Sequence, residues 1–149
     1  MSLRIAADVK NLVTLRRFVE GAAARGGGDP QAIADMLIAM NEAATNIILH
    51  GYQGRPGIIE VEVGYNGDAL VVALRDRAPA FDLTSVPPPD VTLPLERRPL
   101  GGMGVHMMRQ LTDELIHRTT TDGRNELILV RKDARKSHSS QEVTNGDRR

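Results

Sequence analysis

Apolar positions along the chain follow two rhythms. Leu3 to Ala7 is a short apolar stretch that reads as an edge strand. From Asn11 to Arg25, Leu12, Leu15, Val19 and Ala22 or Ala23 recur at the spacing of one helical face. Gly26-Gly27-Gly28 ends that helix, and Asp29-Pro30 opens the next, with Asp as N-cap and Pro in the first turn. Ile33, Leu37, Met40, Ala44, Ile47 and Ile48 carry the second helix to His50. Gly51 follows, where a helix commonly ends. After the turn at Gly54 to Gly57 the period becomes two. Ile59, Val61 and Val63 alternate with Glu60, Glu62 and Gly64, the pattern of a half-buried strand. Asn66-Gly67 is a hairpin signal, and Leu70 to Leu74 is the returning strand.

From Arg75 to Gly104 the rhythm dissolves. The stretch holds six of the chain's eight prolines and reads as a long loop or lid, with Phe81 suited to anchor it on the core. A third helix is predicted over Gly104 to Leu111. Strands follow over Glu114 to Thr121 and Asn125 to Arg131, joined at Asp122-Gly123. Residues 133–149 are polar, lack large apolar residues apart from Val143, and read as a disordered tail after a domain spanning 1–132. The predicted order is β-α-α-β-β-lid-α-β-β. It implies a two-layer α/β sandwich, with a mixed, mostly antiparallel sheet and about three helices on one face.

Composition narrows the function classes. Nineteen basic and nineteen acidic residues cancel, which argues against direct nucleic-acid binding. With no Trp, two Phe and two Tyr, a base-stacking platform is not expected. The absence of cysteine removes disulfides and thiolate metal sites and fits the cytoplasm. The start, MSLRIAADVKN, lacks the pattern of a signal peptide, and no apolar run approaches the roughly 20 residues that would span a membrane.

Three stretches carry candidate chemistry. In NEAATNIILHGY, Glu42, Asn46 and His50 fall four residues apart, on one side of the second helix. A polar stripe on a helix is usually a solvated face. Yet the Asn46 carbonyl oxygen suits a hard cation such as Mg²⁺, and Glu42, one turn away, could take a proton from a hydroxyl. His50 suits bonding the last carbonyls of the helix. In RDRAPAFD, Asp76 leaves the sheet where the loop begins and could accept a hydrogen bond from an exocyclic amine; turn capping is its ordinary role. In RRPLGGMGVHMMRQLTDEL, glycines 101, 102 and 104 open a helix. Small residues and free helical N–H groups there would cradle phosphate, with Arg97 and Arg98 adding charge. The same glycines would equally serve a flexible loop, and the stretch is neither a Walker A motif nor a Rossmann fingerprint.

Together, EAATNIILHGY, DRAPAFD and PLGGMGVHMMRQLTDEL resemble the N, G1 and G2 boxes of the GHKL ATPases, the superfamily of gyrase, Hsp90, histidine kinases and MutL. The resemblance covers about residues 1–132 and is strongest to the small anti-sigma-factor serine kinases, whose usual Met-Asp-Glu-Val is similar to Thr112-Asp113-Glu114-Leu115 here. It implies a Bergerat ATP-binding fold with ATP and Mg²⁺ as cofactors. It also implies phosphorylation of a serine on a STAS-domain antagonist, sequestration of a sigma factor, and a homodimer. By the same resemblance Glu42 is the catalytic base, Asn46 the Mg²⁺ ligand and Asp76 the adenine-binding aspartate. Gly102 and Gly104 are the phosphate-binding glycines. Ala78, Arg98, Gly101, Met103 and Val105 belong to the implied nucleotide-binding set. The family's G1 box carries glycine where this chain has Ala78, which would be strained if the position needs positive φ. Two readings stay open: a protein serine kinase, and a module that binds nucleotide and sequesters partners without catalysis.

Overall fold

A computed structural model describes residues 1–80, 92 and 102–137. Phe81, Arg97, Arg98 and Gly101, and with them most of the predicted lid, lie outside the described residues.

Strand β1 (Ser2–Ala6) leads through a 3-10 turn at Val9–Asn11 into α1 (Leu12–Arg25) and α2 (Pro30–Asn46). Then come β2 (Ile58–Asn66), β3 (Ala69–Asp76), α3 (Gly102–Leu111), β4 (Glu114–Thr119) and β5 (Asn125–Arg131). The five strands form one open sheet in the order β1-β2-β3-β5-β4. The sheet is not mixed: each of the four pairings is antiparallel. Two-residue periodicity sends Ile59, Val61, Val63, Leu70, Val72, Leu74, Leu127 and Leu129 to the inner face. There they meet Leu15 and Val19 of α1, Met36, Met40 and Ala43 of α2, and Val105 and Met108 of α3. This is the two-layer α/β sandwich. The outer face carries a row of alternating charge in register across all five strands: Arg4, Glu60, Arg75, Glu126 and Arg118.

Helix α2 is the core helix of the domain. The Asp29 side chain accepts a hydrogen bond from the Ala32 N–H at 3.0 Å, the N-cap that Asp-Pro predicts. With its last turn, the segment Pro30–Gly51 has 22 residues, and its most apolar 18-residue window has a mean hydropathy of 1.3. It passes a length-and-composition test for a membrane-crossing helix, although Asp35, Asn41, Glu42 and Asn46 interrupt its apolar run. Packing explains the apolarity: Met36, Ala39, Met40, Ala43 and Ala44 are fully enclosed by the sheet and the other helices.

The polar segment after Lys132 does not detach at once. Ala134 is fully buried, its N–H donates to the Asp68 carbonyl at 2.8 Å, and its carbonyl accepts from the Asp29 N–H at 2.7 Å. The Arg135 guanidinium lies 4.4 Å from the centre of the Tyr65 ring. Residues 133–137 therefore belong to the folded unit, although their composition reads as tail. Small and polar residues can dock through backbone bonds that composition does not register.

Candidate functional site

The last turn of the second helix differs from the sequence expectation. Ile47–Gly51 is a π-helical turn, closed by the Tyr52 N–H donating five residues back to Ile47 O at 2.8 Å. The wider turn breaks the four-residue stripe after Asn46. Glu42 is half-buried and Asn46 is 6 % exposed, whereas His50 is turned to solvent. His50 has no hydrogen-bonding partner among the described residues, and the N–H groups of Tyr52 and Gly54 serve the last carbonyls instead. The left-handed positions fall at Gln53 (φ 56°) and Gly54 (φ 77°), not at Gly51. Gly51 is small for another reason: a methyl group there would stand 3.1 Å from the Ala78 Cβ. The turn so formed lines a pocket. Such π-turns recur at functional sites, because the extra residue re-aims the side chains around it.

The pocket is a narrow cleft with a cavity volume of about 20 Å³. Ile47, Leu127 and Pro79 provide apolar wall, and Asn46, Asp76 and Asn125 provide polar groups. A mostly apolar cleft with a few convergent polar groups is what a flat heteroaromatic ring requires. Asp76, 6 % exposed at the end of β3, is tightly held. Its Oδ1 accepts from the Ala78 N–H at 2.9 Å and from the Asn125 amide at 3.0 Å. Among the described residues Oδ2 accepts nothing, so it is the oxygen left for an incoming donor. Ala78 is buried and its φ is not positive, so the expected strain of alanine in place of glycine is not present.

Tyr52 ties the pocket to the sheet. Its hydroxyl donates to Ile58 O at 2.7 Å and accepts from the Arg77 N–H at 2.9 Å.

Helix α3 brings the third motif to the same place. A methyl group on Gly104 would stand 2.9 Å from Glu42 Oε2 and 3.6 Å from Asn46 Nδ2, so the first turn of α3 lies against the polar side of α2. Val105 is 1 % exposed and its side chain is core, which leaves its backbone N–H as its means of touching a ligand. Gly102 and Met103 begin the helix. Asn46 connects the two ends of the site. It lines the pocket beside Asp76, and its Nδ2 is buried without a partner among the described residues. From the π-turn back along α2, the order is the Asp76 pocket, then Asn46, then Glu42 under the α3 glycine.

Among the described residues, no three His, Cys, Asp or Glu side chains cluster to cage a metal. One amide fits a metal that takes its remaining ligands from phosphate and water, as Mg²⁺ does. The orphaned Asn46 Nδ2 is a donor, so it suits an acceptor such as a phosphate oxygen, while the amide oxygen is the atom that would meet a metal. Asn125, Ile47 and Leu127 escape the sequence reading. Asn125 stands after a hairpin turn, where asparagine is ordinary, and its partner Asp76 is 49 residues away.

Comparison with known proteins identifies the family. Residues 5–131 match the family described as the histidine kinase-like ATPase domain. The serine-protein kinase RsbW of Bacillus cereus (strain AH187) is 31 % identical over 119 residues, covering 77 % of this chain and 74 % of its own. The serine-protein kinase RsbW of Bacillus thuringiensis subsp. konkukian (strain 97-27) is also 31 % identical over the same length and coverage. Among solved structures, the crystal structure of the RsbU and RsbW domains of Rv1364c from Mycobacterium tuberculosis has a TM-score of 0.59 at 19 % identity. The match spans 92 % of this chain and about a third (34 %) of that longer one, and it shows a shared fold. The chain belongs to the histidine kinase-like ATPase family, within the GHKL superfamily and on the branch that includes the serine-protein kinase RsbW.

Proposed function

We propose that this chain is an ATP- and Mg²⁺-dependent protein serine/threonine kinase that serves as an anti-sigma partner switch. In this reading it phosphorylates a STAS-domain anti-sigma antagonist and sequesters a sigma factor or similar partner. It works as a homodimer in the cytoplasm, with no direct contact to nucleic acid or membrane. One observation carries the reading: Glu42 and Asn46 face the Gly104 end of α3, while Asn46 also borders the Asp76 pocket.

Each residue then has a task set by its place. Asp76 Oδ2 would accept from the exocyclic amine of adenine, and Ile47 and Leu127 would sandwich the ring. The backbone N–H groups of Gly102, Met103, Gly104 and Val105, at the positive end of α3, would hold the phosphates. Arg98 and Gly101 belong to the same proposed cradle. Asn46 would offer its amide oxygen to the metal. Mg²⁺ and ATP, when bound, supply the transferable phosphoryl group and neutralise its developing charge. Glu42, beside that cradle, would take the proton of the serine hydroxyl as general base. A module that only bound nucleotide would have no use for a carboxylate at this point, which favours the kinase over the non-catalytic reading.

The test is transfer of label from γ-labelled ATP, with Mg²⁺, to a purified STAS-domain protein in which serine is the acceptor. Label on the acceptor serine is expected. Nucleotide binding without transfer to any STAS candidate would favour the sequestering module. Phosphate release without transfer would make the chain a plain ATPase.

A further inference from the structure

Asn125 is the first residue of β5 and stands opposite Asp76, the last residue of β3, in the antiparallel ladder. Its Nδ2 lies 3.0 Å from Asp76 Oδ1 and 2.9 Å from the Ala78 carbonyl oxygen. A carboxylate and a carbonyl can only accept, so the NH₂ end of the amide must face both, and each of its hydrogens has a partner. A serine or threonine hydroxyl has one hydrogen and could serve only one of the two acceptors. An aspartate would have none to give. The Ala78 N–H adds a second bond to Asp76 Oδ1, at 2.9 Å. Asp76 Oδ1 is thus held from two directions, and the carbonyl of Ala78, at the root of the Pro79 segment, is tied to the same amide.

We propose that Asn125 is a positioning residue for the nucleotide base, its amide bridging Asp76 Oδ1 to the Ala78 carbonyl. The bridge fixes the Asp76 carboxylate so that Oδ2 alone is left to receive the ligand's amino group. It also anchors the start of the segment that follows Ala78. A side chain from β5 thus adds a second tether to the one that the Ala78 N–H already makes to Asp76. The inference rests on the nucleotide-binding reading of the pocket and goes beyond it by assigning base recognition to a residue that never touches the base.

The test is calorimetric titration of Mg-ADP into the full chain carrying Asn125, Asn125→Ala or Asn125→Asp, with unfolding of the ligand-free proteins followed in parallel. Asn125→Ala should bind at least about tenfold more weakly, with a smaller effect on ligand-free unfolding, because a misaligned charged acceptor loses most of a hydrogen bond to ligand. Asn125→Asp supplies the signature that a purely structural role lacks. Near pH 8 it sets two carboxylates against each other, and binding should be weakest. Toward pH 6 they share a proton, one donor returns, and affinity relative to wild type should recover several-fold, with the pH values approximate. The other charged and titratable groups nearby are His117 from β4 and Arg77 beyond Asp76. They are common to both proteins, so the ratio to wild type isolates the introduced carboxylate. Wild type that binds while Asn125→Asp keeps a constant ratio across this range overturns the inference, whatever the stability of Asn125→Ala. Wild type that fails to bind Mg-ADP overturns the nucleotide reading and this inference together.

Discussion

Gly104 lies so close to Glu42 that a single methyl group on the glycine would stand 2.9 Å from the carboxylate oxygen Oε2. Two residues from different boxes, on different helices, thereby share one point in space. Gly104→Ala should separate folding from function. The atom in the way is the far end of a flexible side chain, which can move aside. Alanine is also preferred to glycine within a helix by about 0.5–1 kcal/mol. The ligand-free melting temperature should therefore hold or rise, while phosphoryl transfer falls by about tenfold or more because Glu42 is displaced. A variant that transfers like wild type would remove the contact from the account.

Glu126 predicts a pH dependence. Burial pushes its carboxyl up, but hydrogen bonds from Arg118 and Arg75, with their charges, outweigh burial and hold it below the usual 4.5. A depressed folded value means stabilisation that is complete above about 4.5 and lost as pH falls through the folded value. Arg118 is 63 % exposed, so its pairing adds little. The pair that matters is Arg75, 16 % exposed, whose Nε lies 2.5 Å from Glu126 Oε2. Glu126→Gln should cost about 1–2 kcal/mol at pH 7 in denaturant unfolding, because Arg75 keeps Glu60 and Glu62 as partners when the carboxylate is lost. The gap to wild type should narrow toward about pH 3.5. An equal gap at both pH values would contradict the assignment.

The segment after Lys132 should matter more than its composition implies. Ending the chain at Lys132 removes the partners of the Asp29 N–H, the Asp68 carbonyl and the Gly27 carbonyl, and the Arg135 contact with Tyr65. At about 1 kcal/mol for each net hydrogen bond and somewhat less for the cation–π contact, the loss is about 2–4 kcal/mol. Asp29 caps α2, so the helix that carries Glu42 and Asn46 is directly affected. An unchanged denaturant midpoint in the truncated protein would show the docking to be incidental.

How far these features were legible in the sequence depends on how local their cause is. Ile59, Val61 and Val63 announce β2 because burial on one face imposes a period of two, and Asp29-Pro30 announces α2 because the cap is written in adjacent residues. Glu42, Asn46 and Asp76 could be marked because their motifs are contiguous and resemble a family pattern. The exit of His50 from the helical stripe was not legible. Ile47 and Ile48 continue the apolar pattern of the helix, so nothing local marks the π-turn, and Gly51 resembles an ordinary helix terminator until Ala78 is placed beside it. Asn125 was hidden because its partner is distant in the chain, and its position after a hairpin already had an ordinary explanation. The docking of Ala134 rests on backbone bonds, to which hydropathy is blind.

Glu42 makes the most direct test of the whole account. Wild type and Glu42→Gln, compared for Mg-ADP affinity and for label transfer from ATP to the serine of a STAS-domain acceptor, should differ in only one of the two. Glutamine keeps the shape of the side chain but cannot take a proton. Affinity should stay within about twofold, while transfer falls by about a hundredfold or more, the usual contribution of a general base. Transfer that survives the substitution, or affinity that collapses along with it, would contradict the role assigned to Glu42.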